Sequence, residues 1–175
     1  MLAVKRKEMD IPLDLFLNGP APEAPRVSGT AVYLTSDLSL VPSALFHNLK
    51  HYKVMHQTTV FLRVKTVDVP HVASGERLHM TQVGAHEWVA EAHFGFRDQP
   101  DVPAVLREAS SARLNLDPMQ VSYFVARSLV VDGEGTMPRW RAGLFGWMTR
   151  QADSPANYFR LPPNAVVELG TQVVI

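Results

Sequence analysis

GTAVYLTSDLSLVPSALFHNLKHYKVMHQTTVFLRVKTVDV, residues 29–69, is the stretch on which the fold turns. Its first eight residues are β-branched and apolar and read as a buried strand. Pro42 and Ser43 then open a helix that carries the basic segment ALFHNLKHYKVMH (44–56), and TTVFLRVKTVDV (58–69) reads as a second strand. Strand, helix, strand favours a parallel pair joined by a right-handed crossover.

Downstream, ERLHMTQVGAHEWVAEAHFGFRD holds two alternating runs separated at 84–87, a hairpin in which Trp88, Ala90, Ala92, Phe94 and Phe96 share one face. A helix is expected at 101–114, a buried strand at 121–131, another helix at 139–152 and a final strand in AVVELGTQVVI. The fold class is α/β: a mixed β-sheet of about six strands with about three to four helices, in the order β-α-β-β-β-α-β-α-β, with 121–131 as a central strand. Upstream, Pro12 precedes a short amphipathic run, and Pro20, Pro22 and Pro25 follow it. Residues 1–26 therefore read as an arm and Pro-rich linker, and 27–175 as the α/β domain.

A chain of 175 residues, 46% apolar, can bury one sizeable core. Seventeen Lys plus Arg balance seventeen Asp plus Glu, so no global field gathers nucleic acid, and any anion site must be local. The chain has no cysteine, which removes disulfides, zinc-thiolate sites and a thiol nucleophile together. No stretch approaches the ~18 to 20 uninterrupted apolar residues of a membrane span, and MLAVKRKEMDIP lacks a signal-peptide core. The chain as given is expected to be soluble and unsecreted.

The basic helix has two sides. Leu45, Leu49 and Tyr52 suit a core stripe flanked by Phe46 and Met55, while His47, Lys50, His51 and Val54 face away. Three readings compete. His47 and His51, one turn apart, could hold a metal, but two ligands leave the site incomplete. The face could simply be solvated. It could also recognise an anion, because the helix follows a strand end carrying Thr35, Ser36 and Asp37, where open α/β sheets bind ligands. The ligand-binding candidates are thus Thr35, Ser36, Asp37, His47 and Lys50, although Lys50 and Lys53 sit well past the helix amino end, where phosphate is best held. Anionic lipid headgroups are a further candidate, but at ~1 kcal/mol per lysine the pair needs another anchor.

Elsewhere the chemistry is thin. GEGTMPRWR (133–141) lacks the spacing of a phosphate-binding loop, no GxSxG elbow occurs, and His71, His79, His86 and His93 read as surface residues. Trp88, Trp140 and Trp147 read as core or interface anchors, with base stacking as the functional alternative. No catalytic residue, metal site or cofactor is assigned, and the domain is expected not to be an enzyme.

Five blocks, RVSGTAVYLTS, VPSALFHNLKHYKVMHQTTVFLRV, FGFRDQPDVPAVL, DPMQVSYFVARSLVV and YFRLPPNAVVELGTQVVI, carry a resemblance. In this order they are similar to the carboxy-terminal cytosolic domain of the KUP (Kup/HAK/KT) potassium uptake permeases. Ser28 stands where that family usually has proline, and Val174 where an acidic residue is common. The resemblance implies a potassium importer, in bacteria coupled to proton entry, whose preceding membrane bundle holds the transport residues. It makes VKRKEMD the basic cytoplasmic side of a membrane junction. It further implies a regulatory and oligomerisation domain on the cytoplasmic face of the inner membrane, with its own transmembrane portion and a second copy as partners. A nucleotide effector domain of the same transporter is the alternative, and a free-standing small enzyme a more distant one.

Overall fold

The computed structural model describes residues 11–19, 24–109, 116, 118–131 and 154–174. Along the chain run α1 (Leu13–Asn18), β1 (Arg26–Leu34), α2 (Ser43–His51), β2 (Met55–Val67), β3 (Leu78–Gln82), β4 (Glu87–Gly95), α3 (Val102–Ala109), β5 (Val121–Val131), a one-turn helix (Pro155–Tyr158) and β6 (Val166–Val174). The expected helix at 139–152, with Trp140 and Trp147, lies outside the described residues, as do the loop at 133–141 and the end of the 101–114 helix.

The strands form one six-stranded sheet in the order β3-β4-β2-β1-β5-β6. As expected from the opening stretch, β1 and β2 are parallel, with Val32 opposite Val60 and Tyr33 opposite Phe61. The hairpin pairs β3 with β4 antiparallel, which makes the sheet mixed. One expectation needs correction: the 121–131 strand is fifth of the six, and the middle positions belong to β2 and β1. Its apolar run marks an interior strand, but nothing in such a run says how far inside it lies.

Alternation along the strands divides the core in two. On one face Val32, Val60, Leu62, Ala90, Ala92, Phe94, Tyr123 and Val125 pack with Val102, Val105 and Leu106 of α3. On the other, Ala31, Tyr33, Phe61 and Phe124 pack with Ala44 and Leu45 of α2 and Leu13 of α1. Tyr33 stacks on Phe124 with ring centroids 4.6 Å apart. α2 and α3 therefore cover opposite faces, and the chain reverses its direction of progress across the sheet between β1 and β5, the point where doubly wound sheets open a crevice.

Two backbone features place the elements. β1 carries an irregularity between Val27 and Thr30, where Gly29 adopts φ 101° and a Cβ would come within 2.7 Å of the Gln120 carbonyl oxygen. α2 stops at His51, so Met55 and His56 belong to β2, not to the helix. The stop is made by Asn48 and Lys53. The Asn48 carbonyl accepts from Tyr52 N at 2.8 Å, its Nδ2 donates to the Val54 carbonyl at 3.0 Å, and Lys53 turns the chain at φ 55°, a position glycine usually fills. Tyr52 consequently leaves the expected core stripe and is 63% exposed, while Asn48 takes the buried place. Phe96 likewise falls one residue past β4 and is 60% exposed, off the face it was expected to share.

Candidate functional site

β1 ends at Leu34, opposite Leu62 and Val125, but its neighbours run on. β2 continues to Val67 paired with β4, and β5 continues to Val131 paired with β6. Among the described residues, a β5/β6 ribbon and a β2/β4 ribbon, the latter backed by β3 as far as Leu78, thus project past β1 and leave a notch one strand wide, with the loop at 35–37 at its base. Thr35 N, donating to the Leu62 carbonyl at 2.9 Å, makes the last rung.

The loop spends much of its polarity on itself. The Thr35 hydroxyl donates to the Asp37 carbonyl at 2.9 Å and accepts from Asp37 N at 3.2 Å. Asp37 Oδ1 accepts from Ser39 N at 2.8 Å and from the Ser39 hydroxyl at 2.7 Å. These bonds, with the nearby Arg63 charge, hold the Asp37 carboxyl below the usual range. Ser36 is exposed beside them. The base of the notch therefore carries a fixed negative charge, which suits hydroxyl or amide donors better than a bare phosphate.

No hydrogen bond or ion pair joins His47 or Lys50 to this loop among the described residues. Lys50 stands seven positions past Ser43, ~10 Å along the helix axis, on the stretch that returns the chain towards the start of β2. Lys50 and His51 occupy the last turn of α2, where cations offset the negative end of the helix dipole, and with Tyr52 and Lys53 they are exposed. His47 and His51 stack with ring centroids 6.1 Å apart and an interplanar angle of 4°, and His47 Nε2 is shielded without a hydrogen-bond partner. Among the described residues no group of three or more His, Asp or Glu is placed to hold a metal ion.

Three charged constellations went unread in the sequence. On the sheet face beyond α2, Glu91 accepts from Arg63, Lys65 (3.3 Å) and His93 (3.3 Å), and His79 lies against His93 with ring centroids 5.4 Å apart. The Arg63 bond above all keeps the Glu91 carboxyl more acidic than usual. At the amino ends of the strands, Arg26 ties β1 to the buried Glu87 of β4 at 2.7 Å and to the His56 carbonyl of β2 at 2.9 Å. At the tip of the β2/β4 ribbon, Asp98 accepts from His71 Nδ1 (2.7 Å), Val72 N (3.0 Å) and Gly95 N (2.9 Å), with Arg77 at 3.5 Å. Of the four scattered histidines, His71, His79 and His86 are exposed and His93 is half-buried in its strand. The alternation RVK in β2 and EAH in β4 signals a polar face, but Arg63 meets Glu91 only once register is known.

Among the described residues no helix is long and apolar enough to cross a membrane. Residues 28–175 match the model of the K+ potassium transporter C-terminal domain family. The chain is 47% identical over 165 residues to a probable potassium transport system protein Kup of Azoarcus sp. (strain BH72), covering 93% of this chain and 26% of that protein. It is 41% identical over 175 residues to a probable potassium transport system protein Kup 2 of Chromobacterium violaceum, covering 99% of this chain and 28% of that protein. It is 42% identical over 151 residues to a probable potassium transport system protein Kup of Bordetella pertussis, covering 85% of this chain and 24% of that protein. The chain spans about a quarter of the length of these curated relatives. No solved structure matches it. With a family match running from Ser28 to the last residue, the chain belongs to the K+ potassium transporter C-terminal domain family.

Proposed function

We propose that this chain is the cytoplasmic regulatory and oligomerisation domain of a potassium uptake transporter, one that biases a membrane bundle between transport states. The observation that carries the reading is the family match over 28–175 in a chain that corresponds to only a quarter of each relative named potassium transport protein. The exposed cations Lys50 and Lys53 at the end of α2 offer a contact to headgroups or to the bundle, with the covalent tether supplying the anchor that two lysines lack.

The test is potassium uptake in proteoliposomes by a full-length Kup relative whose matching carboxy-terminal quarter is replaced with this chain. The chimera should transport, and Lys50→Glu with Lys53→Glu should alter its uptake. Equal uptake by the chimera, the charge-reversed chimera and a transporter lacking the domain would sink the regulatory reading.

The notch at the chain-reversal point favours a second reading, a nucleotide effector domain of the same transporter, with Thr35, Ser36 and the free backbone of the flanking strands as donors and acceptors. A nucleotide at a hundred times its dissociation constant should add ~2.7 kcal/mol, or roughly 5 to 11 °C for a domain of this size. No shift with any adenine nucleotide or cyclic dinucleotide removes this reading.

A further inference from the structure

The two edges of the sheet are treated differently. Among the described residues β3 closes one side with five residues, whereas β6 closes the other with nine, VVELGTQVV, which contain no proline, lysine or arginine and a single charged residue, Glu168. Long apolar edges without such blunting residues are templates for another strand. Over 126–131 and 169–174, moreover, β5 and β6 pair, among the described residues, only with each other, an arrangement marginal in water by itself.

The β6 sequence is partly mirrored about Gly170. Val166 mirrors Val174, Val167 mirrors Val173, Glu168 mirrors Gln172 and Leu169 mirrors Thr171. In an antiparallel pair of identical strands a two-fold axis sets position 170+n of one copy against 170−n of the other, so a sequence mirrored about 170 sets like against like, a favourable cross-strand pairing for valines. From these observations we infer that the outer edge of β6 is a docking edge for a second copy of this chain, pairing antiparallel with its axis at Gly170. The pairing extends each two-stranded ribbon to four strands. It sets valine against valine at both ends, the Glu168 position against the Gln172 position, and glycine against glycine at the centre. About eight to ten main-chain hydrogen bonds join the copies, depending on whether the central pair is a bonded or a non-bonded one. The inference rests on the oligomerisation reading above and supplies the surface for it.

The absence of native cysteine makes the test clean. Cα atoms of directly opposed antiparallel residues lie ~4.5 to 5.5 Å apart, within disulfide reach. Sedimentation of the 175-residue chain should give a dimer, and mild oxidation of Gly170→Cys should convert that dimer almost wholly to a covalent one. Thr81→Cys, on the opposite edge, should stay uncrosslinked. As a check on register, Glu168→Cys alone should not crosslink, since its own counterpart is ~13 Å along the strand. Mixed with Gln172→Cys it should form a covalent heterodimer, and this pair decides the matter if Gly170→Cys fails to fold. A dimer that resists crosslinking at both pairs overturns the β6 edge and leaves the oligomerisation reading standing. A monomer across the micromolar range overturns both.

Discussion

Asp98 concentrates more structural bonds than any side chain singled out in the sequence. Its carboxyl is 7% exposed and joins His71, Val72 and Gly95, fastening the turn after β2 to the end of β4. The His71 contact first, then the two backbone donors, hold its pKa far below the ordinary carboxylate range. A depressed folded value means that the stabilisation is fully present above the unfolded value of about 3.9 and is lost as pH falls through the lower folded one. Asp98→Asn should therefore lower the thermal midpoint by several degrees at neutral pH, with the gap to the parent closing as pH falls below about 4. Melting curves across that range check it, and a gap that does not change with pH counts against the assignment. Nothing in RDQPD announces this role, because its donors come from 26 and 27 residues earlier as well as from three. Asp37 differs in kind. Its place after a strand was legible, but its carboxylate is engaged by Ser39 two residues on, a local turn that competes with any ligand.

At the scale of the element, α2 shows where pattern reading stops. The periodicity of Leu45 and Leu49 locates the helix and its inward face, and the extended β-branched runs on either side fix the parallel pair. The carboxy terminus follows instead from one buried amide. Asn48, 3% exposed, donates to the Val54 carbonyl, and so ties the helix end to its outgoing chain. Asn48→Ala leaves the part-buried Val54 carbonyl without its donor and should cost ~1 to 3 kcal/mol, a fall of roughly 2 to 12 °C in Tm at ~2 to 4 °C per kcal/mol. Urea denaturation gives the same quantity independently, and an unchanged midpoint would mean that Lys53 alone turns the chain. The basic residues of this helix have a structural explanation in the dipole as well as a functional one, which is why their presence could not choose between readings.

For the molecule as a whole, class, strand number and element order were open to sequence reading, because the strands are either runs of β-branched and apolar residues or, in the hairpin, alternating runs, each between turn signals. Strand position was not, since an interior strand buries both faces wherever it stands, and the expected centrality of 121–131 fell to this ambiguity. The notch was invisible for a related reason. It arises from unequal strand lengths, β1 stopping at Leu34 while β2 reaches Val67 and β5 reaches Val131, and such differences appear only in register. In a parallel ladder successive amides address opposite neighbours. Where β1 has ended, every second amide of 63–67 and of 126–131 has therefore lost its rung, although the strand remains anchored on its other side. Hydrogen exchange resolved to single amides should show fast and slow positions alternating along both stretches, and unbroken protection would mean that another strand completes the ladder. The sheet's twist turns β5 from β2 by ~40 to 50° across the two intervening steps. The prongs are thus two arms of a tuning fork set askew about the end of β1, and a body lodged between them would touch both at once and couple one to the other.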